Sequence, residues 1–178
     1  MEISILNSSL TQTKKQLLIK EVIIPYHPSF AEAVNIEKIN PEWFDVSLLL
    51  EEAMSHVGGY ERIDCHHMDF SDGSDCKSST INNRKRGLVD RVVSHGGKEK
   101  RGTLRVVVYN SIKQNVMYYA LPKKDWIKMV SIHPTNKQGS ISYGYKTEED
   151  AIPKFEQFRC KTFEELCLTK NQEYDDGI

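Results

Sequence analysis

The chain has 178 residues, with 24 basic and 25 acidic side chains, a formal net charge of −1 and 39% hydrophobic residues. This balance fits one globular domain, residues 1–178, with a core that needs neither metal nor disulfide staples. No apolar run is long enough to span a membrane and no secretory pattern opens the sequence, so the reading is a soluble, cytoplasmic chain with no membrane partner.

In the N-terminal part, Ile3 to Leu6 reads as a short strand. Gln16 to Ile24 fits a helix or a strand equally, Pro25 and Pro28 interrupt it, and Ser29 to Ile39 has room for a short helix. From Asn40 the signal sharpens. Asn40 can cap a helix with Pro41 at its first position and Glu42 in its first turn. Val46, Leu49, Leu50, Ala53, Met54 and Val57 then follow the helical repeat up to Gly58-Gly59, with Glu51 and Glu52 on opposite flanks of the apolar face.

After Gly59 the chain turns extended. His66 to Ser71 and Ser74 to Ile81 read as a hairpin around Asp72-Gly73. Thr103 to Asn110 and Asn115 to Leu121 are Val- and Tyr-rich strands. Lys123 to Met129 suits a short helix, Ser140 to Tyr145 a last strand, and Thr162-x-x-Glu165 a capping box opening a helix over Phe163 to Leu168.

Charge is segregated along the chain. Residues 1–76 carry 5 basic and 13 acidic groups, residues 77–128 carry 13 and 3, and the remainder 6 and 9. Two clusters dominate the cationic middle, Asn82-Asn83-Arg84-Lys85-Arg86 and Lys98-Glu99-Lys100-Arg101. A basic segment directly after an acidic hairpin suits a polyanion led towards a metal site. Asn83, Arg84, Lys85, Arg86, Lys98, Lys100 and Arg101 are accordingly the candidate DNA contacts, with arginine suited to bidentate pairing with guanine.

The hairpin sequence Met68-Asp69-Phe70-Ser71-Asp72-Gly73-Ser74-Asp75-Cys76-Lys77 carries the chemistry. On a strand Asp75 and Lys77 share one face and Cys76 points away. Mg²⁺ takes hard oxygen ligands and keeps several waters, so Asp69, Asp75 and the Cys76 carbonyl make a plausible first set. Glu52, or alternatively Glu51, would complete it from the helix. Lys77 would orient or deprotonate the attacking water, its pKa lowered by partial burial and by the metal. Asp72 is read as turn chemistry.

Other chemistries fit less well. In Asp64-Cys65-His66-His67 neighbouring side chains face opposite ways, so they cannot all reach one zinc ion. The four cysteines show no C-x-x-C pair and read as reduced thiols. An EF-hand loop would need acidic residues where Met68 and Phe70 stand, and His95 sits in a Gly-rich turn. No nucleophile elbow, phosphate-binding P-loop or dinucleotide fingerprint is present.

The order helix glutamate, Asp69, Asp75-x-Lys77 and a long Val-rich strand resembles the PD-(D/E)XK restriction-endonuclease-like nuclease superfamily. Asp69-Phe70 and the Lys77-Ser-Ser-Thr-Ile continuation look most like its MutH-like and type II restriction enzyme branch. The resemblance covers about residues 45–110, and no proline precedes Asp69, which leaves Asp64 or Asp72 as a first carboxylate in another register. It implies an α/β fold with a central mixed β-sheet flanked by helices, a catalytic core over about 40–132 and a C-terminal extension over 133–178. It also implies Mg²⁺, replaceable by Mn²⁺, held by Asp69, Asp75, Cys76 and Glu52, with Lys77 assisting the water. The expected activity is Mg²⁺-dependent endonucleolytic hydrolysis of double-stranded DNA by a homodimer. A non-catalytic DNA-binding module and a nuclease for RNA or branched DNA are the alternatives.

Overall fold

The computed structural model describes residues 12–30, 40–65, 68–81, 88–93, 102–142 and 153–170. The first element is helical, which settles the ambiguity left by its apolar pattern. Helix α1 (Lys14–Leu18) opens on a Thr13 capping box and runs on through a π-helical segment, Ile19–Ile23, into a last turn, α2 (Ile24–Tyr26). Pro25 does not end it, as the sequence suggested. A proline ring crowds the preceding turn and lacks an N–H, and the wider π spacing just before it, where Ile24 N–H donates to Ile19 O, relieves that crowding.

Asn40 caps a single 3₁₀ turn, Pro41–Trp43, and not the long helix. That helix, α3 (Val46–Gly58), is separated from the turn by Phe44 and Asp45 and has Asp45 as its N-cap, Oδ1 accepting from Leu48 N–H at 3.2 Å. It ends on Gly59, whose φ of 73° puts it in the left-handed region where a Cβ would be strained.

The strands follow as β1 (Arg62–Cys65), β2 (Met68–Phe70), β3 (Asp75–Ile81), β4 (Leu88–Val93), β5 (Leu104–Asn110) and β6 (Asn115–Leu121). Helix α4 (Lys123–Trp126) precedes β7 (Val130–Ile132) and β8 (Gly139–Ser142); β9 (Arg159–Cys160) and α5 (Phe163–Leu168) close the described chain. The capping box at Thr162 forms, with Glu165 N–H donating to Thr162 Oγ1 at 3.1 Å.

The central sheet has the order β3-β5-β6-β9 and is mixed: β3 runs parallel to β5, while β5, β6 and β9 pair antiparallel. The expected hairpin between residues 66–71 and 74–81 therefore does not exist as a ladder. Strand β2 pairs antiparallel with β1, and β3 pairs with β5 across a crossover. What survives is the tight turn, in which Gly73 N–H donates to Phe70 O at 2.9 Å and Gly73 holds a φ of 90°.

Both faces of this sheet are covered, and all seven residues of β5 are buried. On one face Cys76, Val107, Ala120 and Cys160 pack with Leu18, Val22, Leu50, Met54 and Phe163 of the helices. On the other, Val106, Val108, Tyr119 and Leu121 pack with Trp126, Ile141 and Phe155, the second of these from the small β4-β8-β7 sheet. The architecture is α/β, a mixed sheet flanked by helices. Among the described residues no helix is long and apolar enough to cross a membrane.

Candidate active site

Register fixes which side chains meet. Asp75 and Lys77 pair with Leu104 and Val106, so both project from the second face at the N-terminal end of β3, an edge strand of the central sheet. Asp75 N–H donates to Thr103 O at 3.0 Å, which turns its peptide towards β5. Cys76 then faces its N–H and C=O to the outer edge, since successive strand residues alternate in direction. There the N–H donates to Asp69 Oδ2 at 2.8 Å. A side-chain carboxylate thus takes the place of a ladder partner, and the Cys76 carbonyl lies along the same edge as Asp69.

Beside it Lys77 Nζ stands 3.0 Å from Asp75 Oδ2, with Asp75 wholly buried and Lys77 19% exposed. Lys77 therefore lies over Asp75, between it and solvent. Burial pulls the Lys77 ammonium down, but the Asp75 charge, its hydrogen bond and Asp69 outweigh burial and leave it above the ordinary lysine range. Burial lowers it as expected, and with no metal bound the carboxylates outweigh that lowering. Lys77 is a standing cation and hydrogen-bond donor, not a ready proton acceptor.

Asp69 carries the opposite burden. Burial first, then the Asp75 charge, push its carboxyl up to about 7, and Glu51 adds to the rise against the Cys76 N–H and Lys77. A carboxylate raised by burial and then by a second carboxylate beside it is a feature often found at functional sites.

The helix glutamates divide. Glu51 takes two hydrogen bonds on Oε2 from Arg62, from Nε at 3.1 Å and Nη2 at 3.0 Å, and its charge acts on Asp69. Glu52, preferred from the sequence, instead meets buried His27, with Nε2 2.7 Å from Oε2. Because Ser29 N–H donates to His27 Nδ1 at 3.1 Å, the ring proton sits on Nε2 and points at Glu52. The structure brings Asp69, Asp75, Lys77 and the Cys76 backbone together, with Glu51 as their electrostatic neighbour and Glu52 on the His27 flank.

The chain matches no protein-family model, no curated protein and no solved structure.

Asp72 has the turn role assigned to it and a second one. Its Oδ1 accepts from Ser74 N–H at 3.0 Å, while Oδ2 accepts from Arg105 Nη1 at 2.9 Å. Arg105, 1% exposed in the middle of the Val-rich strand, also donates to Ser74 Oγ, to Leu166 O at 3.1 Å and to Thr169 O at 2.6 Å, and lies 4.6 Å over the Tyr60 ring. It closes the C-terminal end of α5 and clamps the turn that separates Asp69 from Asp75. The sequence reading passed over Arg105; its signal was a lone charge in an apolar strand.

Among the described residues no group of three or more His, Cys, Asp and Glu side chains is placed to hold a metal. Two carboxylates and a backbone carbonyl are what the edge of β3 offers, a set Mg²⁺ tolerates because it retains water ligands. The basic candidates Asn83, Arg84, Lys85, Arg86, Lys98, Lys100 and Arg101 lie outside the described residues, as do His66, His67 and His95. Cys76, Cys160 and Cys167 carry free, buried thiols, as expected of reduced cysteines.

Proposed function

We propose that the chain is a Mg²⁺-dependent endonuclease of the restriction-endonuclease-like class, acting on double-stranded DNA in the cytoplasm, with a type II restriction enzyme working as a homodimer as its most specific form. The observation that carries this reading is the joint placement of Asp69, Asp75 and Lys77 at the edge of β3, with the Asp69 carboxyl pushed up to about 7 by burial and neighbouring negative charge. Asp69, Asp75 and the Cys76 carbonyl would hold the divalent ion. Bound there, it would supply Lewis-acid neutralisation of the charge that builds up on phosphorus oxygens during hydrolysis.

The chain's own groups supply the rest. Lys77, kept protonated by Asp75, donates to a phosphate oxygen or to the entering water and holds it in line. The Cys76 N–H fixes the rotamer of Asp69, and Arg62 holds Glu51 close enough to raise the local negative potential without crowding the edge. The basic segments at 82–86 and 98–101 would neutralise backbone phosphates, which makes binding strongly salt-dependent.

Supercoiled plasmid incubated with the protein and Mg²⁺ is expected to be nicked or linearised, with loss of cutting in EDTA and in Lys77→Ala and Asp75→Asn. The 3.0 Å Lys77–Asp75 contact also suits a purely structural ion pair in a non-catalytic DNA-binding module. Binding of DNA without cleavage of any plasmid or genomic substrate, unchanged by Lys77→Ala, would decide for that module. Cleavage of RNA or branched DNA alone would redirect the substrate and leave the site in place.

A further inference from the structure

On the opposite face of β3 from Asp75 and Lys77 lies a cavity of about 370 Å³ between α1, the start of α3 and β3. Its walls are apolar where Leu18, Phe44 and Leu50 meet, and polar where Lys14, Ser47 and Ser78 enter. An apolar floor beside convergent polar groups is a combination found in small-molecule sites, and the volume lies at their lower end.

Three charged residues line it, Lys14, Lys15 and Asp45, and they are held in different ways. Lys15 is 3.4 Å from Glu42, and Asp45 accepts from Leu48 N–H as the cap of α3. Lys14, by contrast, donates to the neutral Ser78 Oγ at 3.2 Å, and among the described residues no carboxylate stands within ion-pair distance of it. We propose that this cavity is a binding site for a small organic anion, its anionic head group paired with Lys14 and hydrogen-bonded by Ser78 and Ser47, its apolar body seated against Leu18, Phe44 and Leu50.

Burial pulls Lys14 below the ordinary lysine range, so the cost of an uncompensated ammonium is already present before a ligand arrives. An anion entering the cavity removes that cost, whereas a neutral molecule of the same shape does not. A charge-assisted contact of this kind corresponds to about tenfold or more in affinity. The site lies apart from the proposed metal edge and requires no nuclease activity.

The test is titration calorimetry of the full chain with benzoate, phenyl phosphate and benzamide. At least one of the two anions is expected to bind about tenfold or more tightly than benzamide, and which of them does so identifies the head group as carboxylate or phosphate. Lys14→Met should abolish the difference, and Lys15→Met should leave it. Lysine acetylation of the unmutated protein, followed by mass spectrometry, supplies a readout that does not depend on the variant folding. Saturating anion should protect Lys14 while Lys15 reacts as before. Equal binding of benzamide and both anions, no binding by any, or no protection of Lys14 overturns the proposal.

Discussion

The raised carboxyl of Asp69 makes a thermodynamic prediction that needs no assumption about substrate. In the unfolded chain Asp69 titrates near its ordinary value of 3.8, and in the fold near about 7. Between those values the native state binds more protons than the unfolded state, so stability is full below pH 4 as far as this group is concerned and is lost as pH rises towards 7. The whole interval is worth about 4 kcal/mol at about 1.4 kcal/mol per pH unit. Asp69 is only half-buried, and solvent screening brings the expected loss to about 2 kcal/mol.

Asp69→Asn tests this cleanly, because an amide oxygen can still accept from Cys76 N–H while carrying no charge. Urea unfolding at pH 5 and pH 8 samples the upper part of that interval and should show the parent chain losing about 1 kcal/mol more than the variant, which becomes the more stable of the two at pH 8. Adding Mg²⁺ at pH 8 should raise the parent's midpoint and leave the variant's unchanged, since a ligand stabilises only the state that binds it. Identical pH dependence in the two proteins would refute the charge-crowding account. A Mg²⁺ effect of equal size in both would remove Asp69 from the ligand set.

Glu51→Gln is expected to lower the Asp69 carboxyl detectably in a ¹³C-detected titration, whereas Glu52→Gln should leave it in place, because only Glu51 acts on that carboxyl. Arg105→Met should destabilise the chain by about 3–5 kcal/mol in urea, as it strands the Asp72 carboxylate and the last carbonyls of α5. Gly59→Ala places a Cβ at a φ of 73° and is expected to cost about 1 kcal/mol of stability without altering pH dependence.

Much of the architecture was legible where pattern and chemistry agreed. Helix α3 announced itself through six apolar residues at helical spacing, and β5 and β6 through β-branched and aromatic runs. Pairing was not legible. Asp72-Gly73 makes a turn whether or not the flanking strands form a ladder, and no local signal in Ser74 to Ile81 says that its partner lies beyond residue 102. The proximity of Asp69 to Asp75 was inferred through that mistaken hairpin, yet it holds, because the turn and the Asp69 bond to Cys76 N–H bring the strands together without a ladder. The choice between Glu51 and Glu52 depended on His27 and Arg62, residues 25 and 11 positions away in sequence whose approach no helical wheel reveals. For Lys77 the sequence showed that a carboxylate shares its strand face but not that the two stand 3.0 Å apart, close enough for the carboxylates to outweigh burial when no metal is bound.

Arg105 joins the turn at Asp72 and Ser74 to carbonyls that lie 61 and 64 residues beyond the arginine itself. During synthesis from the N-terminus, Asp69, Asp75 and Lys77 leave the ribosome long before Leu166 and Thr169 do. Until those carbonyls arrive, the guanidinium of Arg105 has only the turn to bind and remains open to water. The clamp on the acidic edge is complete only when those carbonyls are in place, so a nascent or C-terminally clipped chain would present the carboxylates in a loosened arrangement. Proteolysis at α5 would act on this edge from the far end of the sequence without touching any residue in it.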